Sequence, residues 1–451
     1  MKITFLGATR TVTGSKYLIE HHHTKILIDC GLFQGHKELR LRNWEALPVD
    51  VSSIHAVILT HAHLDHSGYI PLLVKQGFKG KILCSDATFD LCKILLPDSG
   101  RIQEEDADRA NRYHYSKHTP ALPLYSEKDA IRALSYFHPI GFGVPYTLSD
   151  DLHFTFSRSG HILGSALISL SSKTKTIVFS GDLGRPNDPV MVEPAILDHA
   201  DYIVIESTYG DRLHAAIDPG EELETIVRKT ISQGGSVLIP AFAVGRTQSI
   251  LYYLNRLKSI GLLGDIPIFL DSPMAINVTE LLHKYAHEHR LPKKLCDAVC
   301  ATATYVRSVD DSKKLDHLSM PCILISASGM ATGGRVLHHL KYFMGDPKNT
   351  ILFAGFQAGG TRGDRMVRGE PEIKIHGEYF PLRATVCNLS NISAHADYAE
   401  TLAWLSHFKK APKKIFVTHG EAEAADALKD KIIQQLGWDA QAPEYLESQE
   451  L

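Results

Sequence analysis

Apolar residues in the first two hundred positions fall in short runs separated by glycine and polar turns. KITFLG (2–7), KYLIE (16–20), KILIDCG (25–31), AVILT (56–60) and KILCS (81–85) have the length and β-branched content of strands, and predict a sheet with hairpins. HHH at 21–23 then reads as a hairpin turn. Between Leu72 and Ser116 apolar residues recur every three or four positions among charged ones, which predicts surface helices. HFTFSRSG (153–160), ALISLSS (166–172), TIVFSGD (176–182) and YIVIES (202–207) predict further strands.

After Tyr209 the pattern changes. Helices at 219–235, 246–261, 277–290 and 333–344 alternate with strands at 236–242, 267–272, 322–328 and 350–356. That alternation predicts a doubly wound parallel sheet. Strand-like text follows Glu370, then a helix at 398–408, a strand at 413–420 and a helix at 423–437. The expected organisation is one α/β domain, 1–208 and 373–451, interrupted by a second at 209–372.

A length of 451 residues is ample for such a pair, and 44% hydrophobic with 22% charged residues is ordinary globular composition. The N-terminus has a four-residue apolar run followed by Thr9, Thr11 and Ser15, so no signal-peptide core and no membrane association are expected. Seven cysteines without a C-x-x-C pair disfavour a disulfide framework or a thiolate zinc site, and point to a reducing cytoplasm. A net charge of −3 gives no global attraction for nucleic acid, so any such role must rest on a local basic groove.

Candidate chemistry sits just beyond buried strands, in ILTHAHLDH, SRSGHILGS, VFSGDLGR and FVTHGE. His61, His63, Asp65 and His66 supply imidazoles and carboxylate without thiolates, a donor set for zinc, iron or manganese. One short loop cannot wrap six ligands around one ion, so the spacing suggests two ions side by side. His161, Asp182 and His419 are each ordinary turn residues when taken singly. Their common position after a strand is what recommends them.

Taken together, H-x-H-x-D-H, the later Gly-His and Gly-Asp and the final His resemble the metallo-β-lactamase superfamily in its dinuclear phosphodiesterase branch. The resemblance implies that His61, His63 and His161 hold one ion, that Asp65, His66 and His419 hold the other, and that Asp182 bridges them. Glu206 in VIESTYGDR, His395 in NISAHADYAE and His419 in THGE match the three extra motifs of the β-CASP nucleases. PAFAVGRTQ (240–248), ISASGM (325–330) and FAGFQAGGTRG (353–363) resemble that group's inserted domain. The implied fold is an αββα sandwich carrying an inserted doubly wound parallel sheet, with a cleft between them. A histidine in the third motif implies RNA as substrate. The chain's extent resembles the compact bacterial relatives of the pre-mRNA cleavage and polyadenylation factor endonuclease.

The implied reaction is RNA hydrolysis by a hydroxide bridging two zinc ions, or manganese or iron, held partly by the catalytic carboxylates Asp65 and Asp182. It should leave 5′-phosphate and 3′-hydroxyl ends, with internal cutting favoured over 5′ exonuclease action, between which no motif decides. His395 is the candidate general acid and Glu206 its orienting carboxylate, as against plain phosphate binding by His395 and Ser393. Arg246, Arg335 and Arg362, with Ser326, Ser328 and Ser393, are the candidate contacts to single-stranded RNA. A DNA or small-molecule phosphodiesterase, a non-catalytic RNA-binding scaffold, and a homodimer are compatible with the same text.

Overall fold

The structure is a computed structural model that describes residues 1–114 and 116–451. Its contacts divide the chain into two units, Met1–Leu213 with Ala394–Leu451, and His214–Ser393.

In the first unit two seven-stranded sheets lie back to back. One runs in the order Ser448–Glu450, Lys2–Phe5, Tyr17–His21, Thr24–Ile28, Ala56–Ile58, Lys81–Cys84, Phe137–Pro139. The other runs Ala440–Gln441, Lys414–Thr418, Tyr202–Glu206, Thr176–Phe179, Ala166–Ser171, Leu152–Arg158, Tyr146–Ser149. Alternation explains the pairing: in Leu152–Arg158 the side chains of Leu152, Phe154 and Phe156 are buried while His153 and Thr155 are not. Those inward residues meet Ile3, Phe5, Ile26 and Ile58 of the facing sheet in one core. On the outer face of the second sheet, Leu402 and Leu405 of helix Tyr398–Leu405 and Ala425 and Leu428 of helix Ala422–Lys431 pack on Ile203, Ile205 and Val417. The region expected to form several surface helices contains one long helix, Asp86–Arg112, with Ser85 accepting from the Thr88 amide at its start and Pro97 inside it.

The second unit holds a six-stranded parallel sheet in the order Thr304–Tyr305, Ile268–Asp271, Ile323–Ser326, Val237–Pro240, Thr350–Ala354, Thr385–Leu389. Its central strands are buried on both faces, as Val237–Pro240 shows at every position. Helices Pro219–Ser232 and Arg246–Ser259 cover one face, and helix Val336–Phe343 covers the other. This is a mixed α/β protein with the doubly wound insertion that the sequence pattern predicts. Helix 277–290 of that expectation instead occupies Pro273–Lys284, because Ser272 caps it through the Ala275 amide and Pro273 suits the first turn.

The unit boundaries fall at 213/214 and 393/394, against expected positions of 208/209 and 372/373. The second shift has a clear cause. Strand Thr385–Leu389 pairs in parallel with Thr350–Ala354, and Ile373 and Ile375 of the hairpin Glu372–Ile375/Glu378–Pro381 are buried in the second unit's core. No helix among the described residues is long and apolar enough to cross a membrane.

Candidate metal centre

Strand Ala56–Ile58 ends at a turn that is fixed from the neighbouring strand. Asp29, with φ +58°, accepts hydrogen bonds from the Thr60 amide at 2.8 Å and from Thr60 Oγ1 at 2.9 Å, and its Oδ2 lies 2.7 Å from Nδ1 of His66. A single helical turn, Leu64–Ser67, then sets Asp65 and His66 beside His61 and His63. Its carbonyls are clamped: the Ser15 amide donates to Asp65 O at 2.8 Å and the Cys30 amide to His66 O at 2.7 Å. Gly31 is required here, since a Cβ on it would stand 1.6 Å from Asp65 O.

Three further loops bring the remaining candidate ligands. Ser165 Oγ accepts from the amides of His161 and Ile162 at 3.0 and 3.1 Å, shaping the turn that presents His161. Asp182 follows strand Thr176–Phe179. His419 follows strand Lys414–Thr418 in a left-handed conformation (φ +51°), with its amide donating to Ala8 O at 2.7 Å and its Nδ1 3.2 Å from Thr208 Oγ1.

The seven side chains form two sets. In the first, Nδ1 of His63 lies 3.1 Å from Nε2 of His61 and 3.3 Å from Nε2 of His161, while Asp182 Oδ2 lies 3.4 Å from each of those Nε2 atoms. In the second, Nε2 atoms of His66 and His419 face each other at 3.2 Å, His419 Nε2 is 3.4 Å from Asp65 Oδ2, and Asp182 Oδ1 is 3.2 Å from His66 Nε2. Ligands about 2.0–2.1 Å from a tetrahedral ion are separated by edges of about 3.3–3.4 Å. The observed separations match. Asp182 Oδ1 is moreover buried without a hydrogen bond, although it faces two imidazoles. These groupings are those expected of a metal-binding centre, with one oxygen of Asp182 turned to each set.

Burial holds the His61 imidazole down to about 3, and repulsion from His66 adds to this. Burial also lowers His63 and His161, so the first set consists of neutral rings ready to act as ligands. Burial opposes ionisation of Asp182, but His419, His66, His61 and His395 outweigh it and keep the carboxyl well below its usual range. For His66 burial is likewise outweighed, here by Asp182 and Asp29, and its pKa stands well above the ordinary value.

Next to the ligands, Nδ1 of His395 lies 3.1 and 3.0 Å from the two oxygens of buried Glu206 and 4.0 Å from Asp182 Oδ2. Glu206 also accepts from the Leu183 amide at 2.6 Å and the Thr208 amide at 3.3 Å. Asp397 caps helix Tyr398–Leu405 in a reciprocal arrangement with Glu400.

The expected RNA contacts all belong to the second unit, where they lie at or beyond the C-terminal ends of its parallel strands. Arg246 opens helix Arg246–Ser259, and Ser393 is buried. Ser326 is fully buried and donates to Asp271 O at 3.0 Å, while Ser328 Oγ accepts from the Thr332 amide at 3.0 Å. Arg335 donates to Asp271 Oδ1 at 2.5 Å and to the carbonyls of Val306 and Arg307. Arg362 opens helix Arg362–Val367 and donates to the carbonyls of Lys374, Ala331 and Thr332. The guanidinium groups of Arg335 and Arg362 thus hold protein carbonyls and a carboxylate, a different use from the phosphate contact expected of them. Sequence reasoning missed Asp29, Thr60 and Thr208; the Asp-Cys-Gly that ends KILIDCG marks a turn at Asp29, and nothing local marks Thr60 or Thr208.

A layered αββα body with imidazoles and carboxylates at its strand ends is the framework of a metallohydrolase. Family models match the chain as the metallo-β-lactamase superfamily over residues 10–228, the Beta-Casp domain over 247–366 and the Zn-dependent metallo-hydrolase RNA specificity domain over 373–443. Ribonuclease TTHA0252 of Thermus thermophilus is 37% identical over 440 residues, spanning 95% of each chain. An RNase J-like protein of Methanocaldococcus jannaschii is 32% identical over 93% of this chain and 92% of its own. The transcription termination factor FttA of the same organism is 30% identical over 93% of this chain and 67% of its own. A solved structure, a protein of unknown function from Enterococcus faecalis, shares the fold at a TM-score of 0.52 and 14% identity, covering 100% of this chain and 99% of that one. The chain belongs to the β-CASP group of the metallo-β-lactamase superfamily.

Proposed function

We propose that this chain is a metal-dependent ribonuclease that cuts single-stranded RNA internally, leaves 5′-phosphate and 3′-hydroxyl ends and uses two zinc ions. The observation that carries this reading is the pair of ligand sets joined through the two oxygens of Asp182. Relatives named as ribonucleases and the RNA specificity model over 373–443 support RNA as the substrate. When bound, the ions supply an acidified water, with a pKa near about 7, and neutralise charge on the attacked phosphate.

The protein's own groups do the rest. His61, His63 and His161 form one side of the centre and Asp65, His66 and His419 the other, with Asp182 holding the two in register. His395 donates a proton to the departing 3′-oxygen from Nε2, across the ring from the Nδ1 that faces Glu206. Glu206, fixed by two backbone amides, sets the orientation of that ring. His395→Ala lowers cleavage by roughly 10²–10⁴-fold while leaving the bound metal content unchanged. Arg246, Ser328 and Ser393 are assigned to the RNA backbone. Cysteines that form no disulfide support a cytoplasmic location.

The test is cleavage of matched single-stranded RNA and DNA by metal-loaded wild type and Asp182→Ala, with the fragment ends analysed. RNA-selective internal cutting to 5′-phosphate ends, lost in the variant, supports the reading. Equal cutting by the variant, or DNA cut as readily as RNA, overturns it.

A further inference from the structure

The second unit assembles another group of metal-type donors, far in sequence from the strand-end histidines. Helix Pro273–Lys284 packs beside helix Lys293–Cys300. Cys296 and Cys300 are four residues apart in the latter, which puts both sulfurs on one face, and that face meets His283 at the end of the former. Cys296 Sγ lies 3.7 Å from Nδ1 of His283, and donor atoms of His283, Cys296 and Cys300 all lie within 4.8 Å of one another. Asp297 Oδ1 stands 3.5 Å from the same nitrogen.

These distances have a simple reading. A tetrahedral ion with sulfur at about 2.3 Å and nitrogen at about 2.0–2.1 Å has sulfur–nitrogen edges of about 3.6 Å. The competing uses of paired cysteines fit less well. Helical neighbours four apart keep their Cβ atoms about 5–6 Å from each other, beyond the about 3.5–4.5 Å that a disulfide needs. Burial pushes the Cys300 thiol up to about 12 and raises that of Cys296 as well, so neither is a nucleophile at neutral pH. The hydroxyl of Tyr305, on the strand after this helix, lies within electrostatic reach of Cys300 and is buried without a hydrogen bond, an unmet polar group beside the three donors.

We propose that His283, Cys296 and Cys300 form a separate cation site, for a soft d10 divalent ion of the zinc class, that ties helix Pro273–Lys284 to helix Lys293–Cys300. Two sulfurs and an imidazole select such an ion over magnesium, calcium or manganese. Asp297 is the side chain positioned to complete the set. The site differs in chemistry from the strand-end centre, which contains no sulfur, and that difference makes it separately visible.

The experiment loads the metal-free full chain with cobalt(II) and compares wild type with the double variant Cys296→Ser/Cys300→Ser and with His283→Gln, which changes an exposed side chain. The wild type should show thiolate-to-cobalt charge-transfer absorption in the near ultraviolet, on top of the weaker visible bands that the imidazole–carboxylate centre gives alone. The double variant should lose that absorption and bind about one zinc ion fewer per chain, and His283→Gln should weaken it. A wild type without the charge-transfer band, or equal zinc content in wild type and double variant, overturns the proposal. Should the double variant lose the visible bands too, it is misfolded and His283→Gln decides: an unchanged charge-transfer band then overturns the site. No cleavage is read, so an inactive chain still answers this question, and the ribonuclease reading stands or falls separately.

Discussion

Asp182 and Asp271 are both buried carboxylates at strand ends, one in each unit, and their surroundings differ in a way that separates a binding centre from a structural one. Asp271 receives a hydroxyl from Ser312 at 2.5 Å and a guanidinium from Arg335 at 2.5 Å, and faces Nε2 of His339 at 2.7 Å. The other nitrogen of His339 faces Asp316 at 2.6 Å. Every charge there has an opposite charge, and the cluster closes on itself. Around Asp182, by contrast, imidazole nitrogens face one another at 3.1–3.3 Å. A proton shared between two such nitrogens satisfies that pair alone; a cation at the centre of each set satisfies all of its members. Buried charge by itself says little, whereas many converging acceptors with too few donors among them call for an ion from outside.

The sharpest way to break the contrast is to remove each carboxylate. Asp182→Ala should abolish measurable RNA cleavage and reduce bound metal, with the chain still folded by far-ultraviolet circular dichroism. Asp271→Ala should do the converse, costing about 3–5 kcal/mol of stability in denaturant unfolding because it leaves the Arg335 guanidinium with neutral carbonyls alone and His339 with Asp316 alone. If Asp271→Ala instead lost metal and kept its stability, the distinction between the two clusters would fail. A smaller effect is expected of Asp29→Ala, which keeps all seven ligands but frees the His66 ring: metal affinity or cleavage should fall by roughly 10–100-fold, measured by competition with a chelator.

The mildest prediction concerns pH. Burial works against a charged His339, but hydrogen bonds to Asp271 and Asp316 outweigh it and raise its pKa above the ordinary value. A group raised in the folded state stabilises fully below its unfolded pKa of about 6.5 and loses that contribution as pH climbs through the raised native value. The urea midpoint should therefore decline from near neutral pH upward, and His339→Gln should flatten that decline. A midpoint insensitive to pH in the wild type would show that the second cluster is not held by an imidazolium.

How much of this the sequence disclosed depends on distance along the chain. The strand-end histidines were legible because four separate turns each carried the right residue type after an apolar run. Asp29 was not, since an aspartate before Cys-Gly reads as a turn and nothing local connects it to His66, 37 positions later. The role of Arg335 was hidden for the same reason: a guanidinium in text shows its charge, while its carboxylate, Asp271, is 64 positions away. Strand Thr385–Leu389 was visible as a strand, but its pairing with Thr350–Ala354 is what moves the unit boundary to 393/394. The family model that begins at 373 follows the text, and the packing follows the pairing. Cys296 and Cys300 were passed over because their spacing is that of a helix face and not of a C-x-x-C turn.

The order of the ligands along the chain has a consequence for how the protein is made. Six of the seven strand-end donors, from His61 to Asp182, belong to the part synthesised before the insertion, and the seventh, His419, belongs to the part synthesised after it. Glu206 precedes the insertion while His395 follows it, so this imidazole and its carboxylate also meet late. A ribosome therefore has to release the whole inserted unit before either pair can close. Until then the emerging chain carries six of the seven strand-end donors without the seventh, and on the proposed function the messenger from which it is being read would be spared its product's activity.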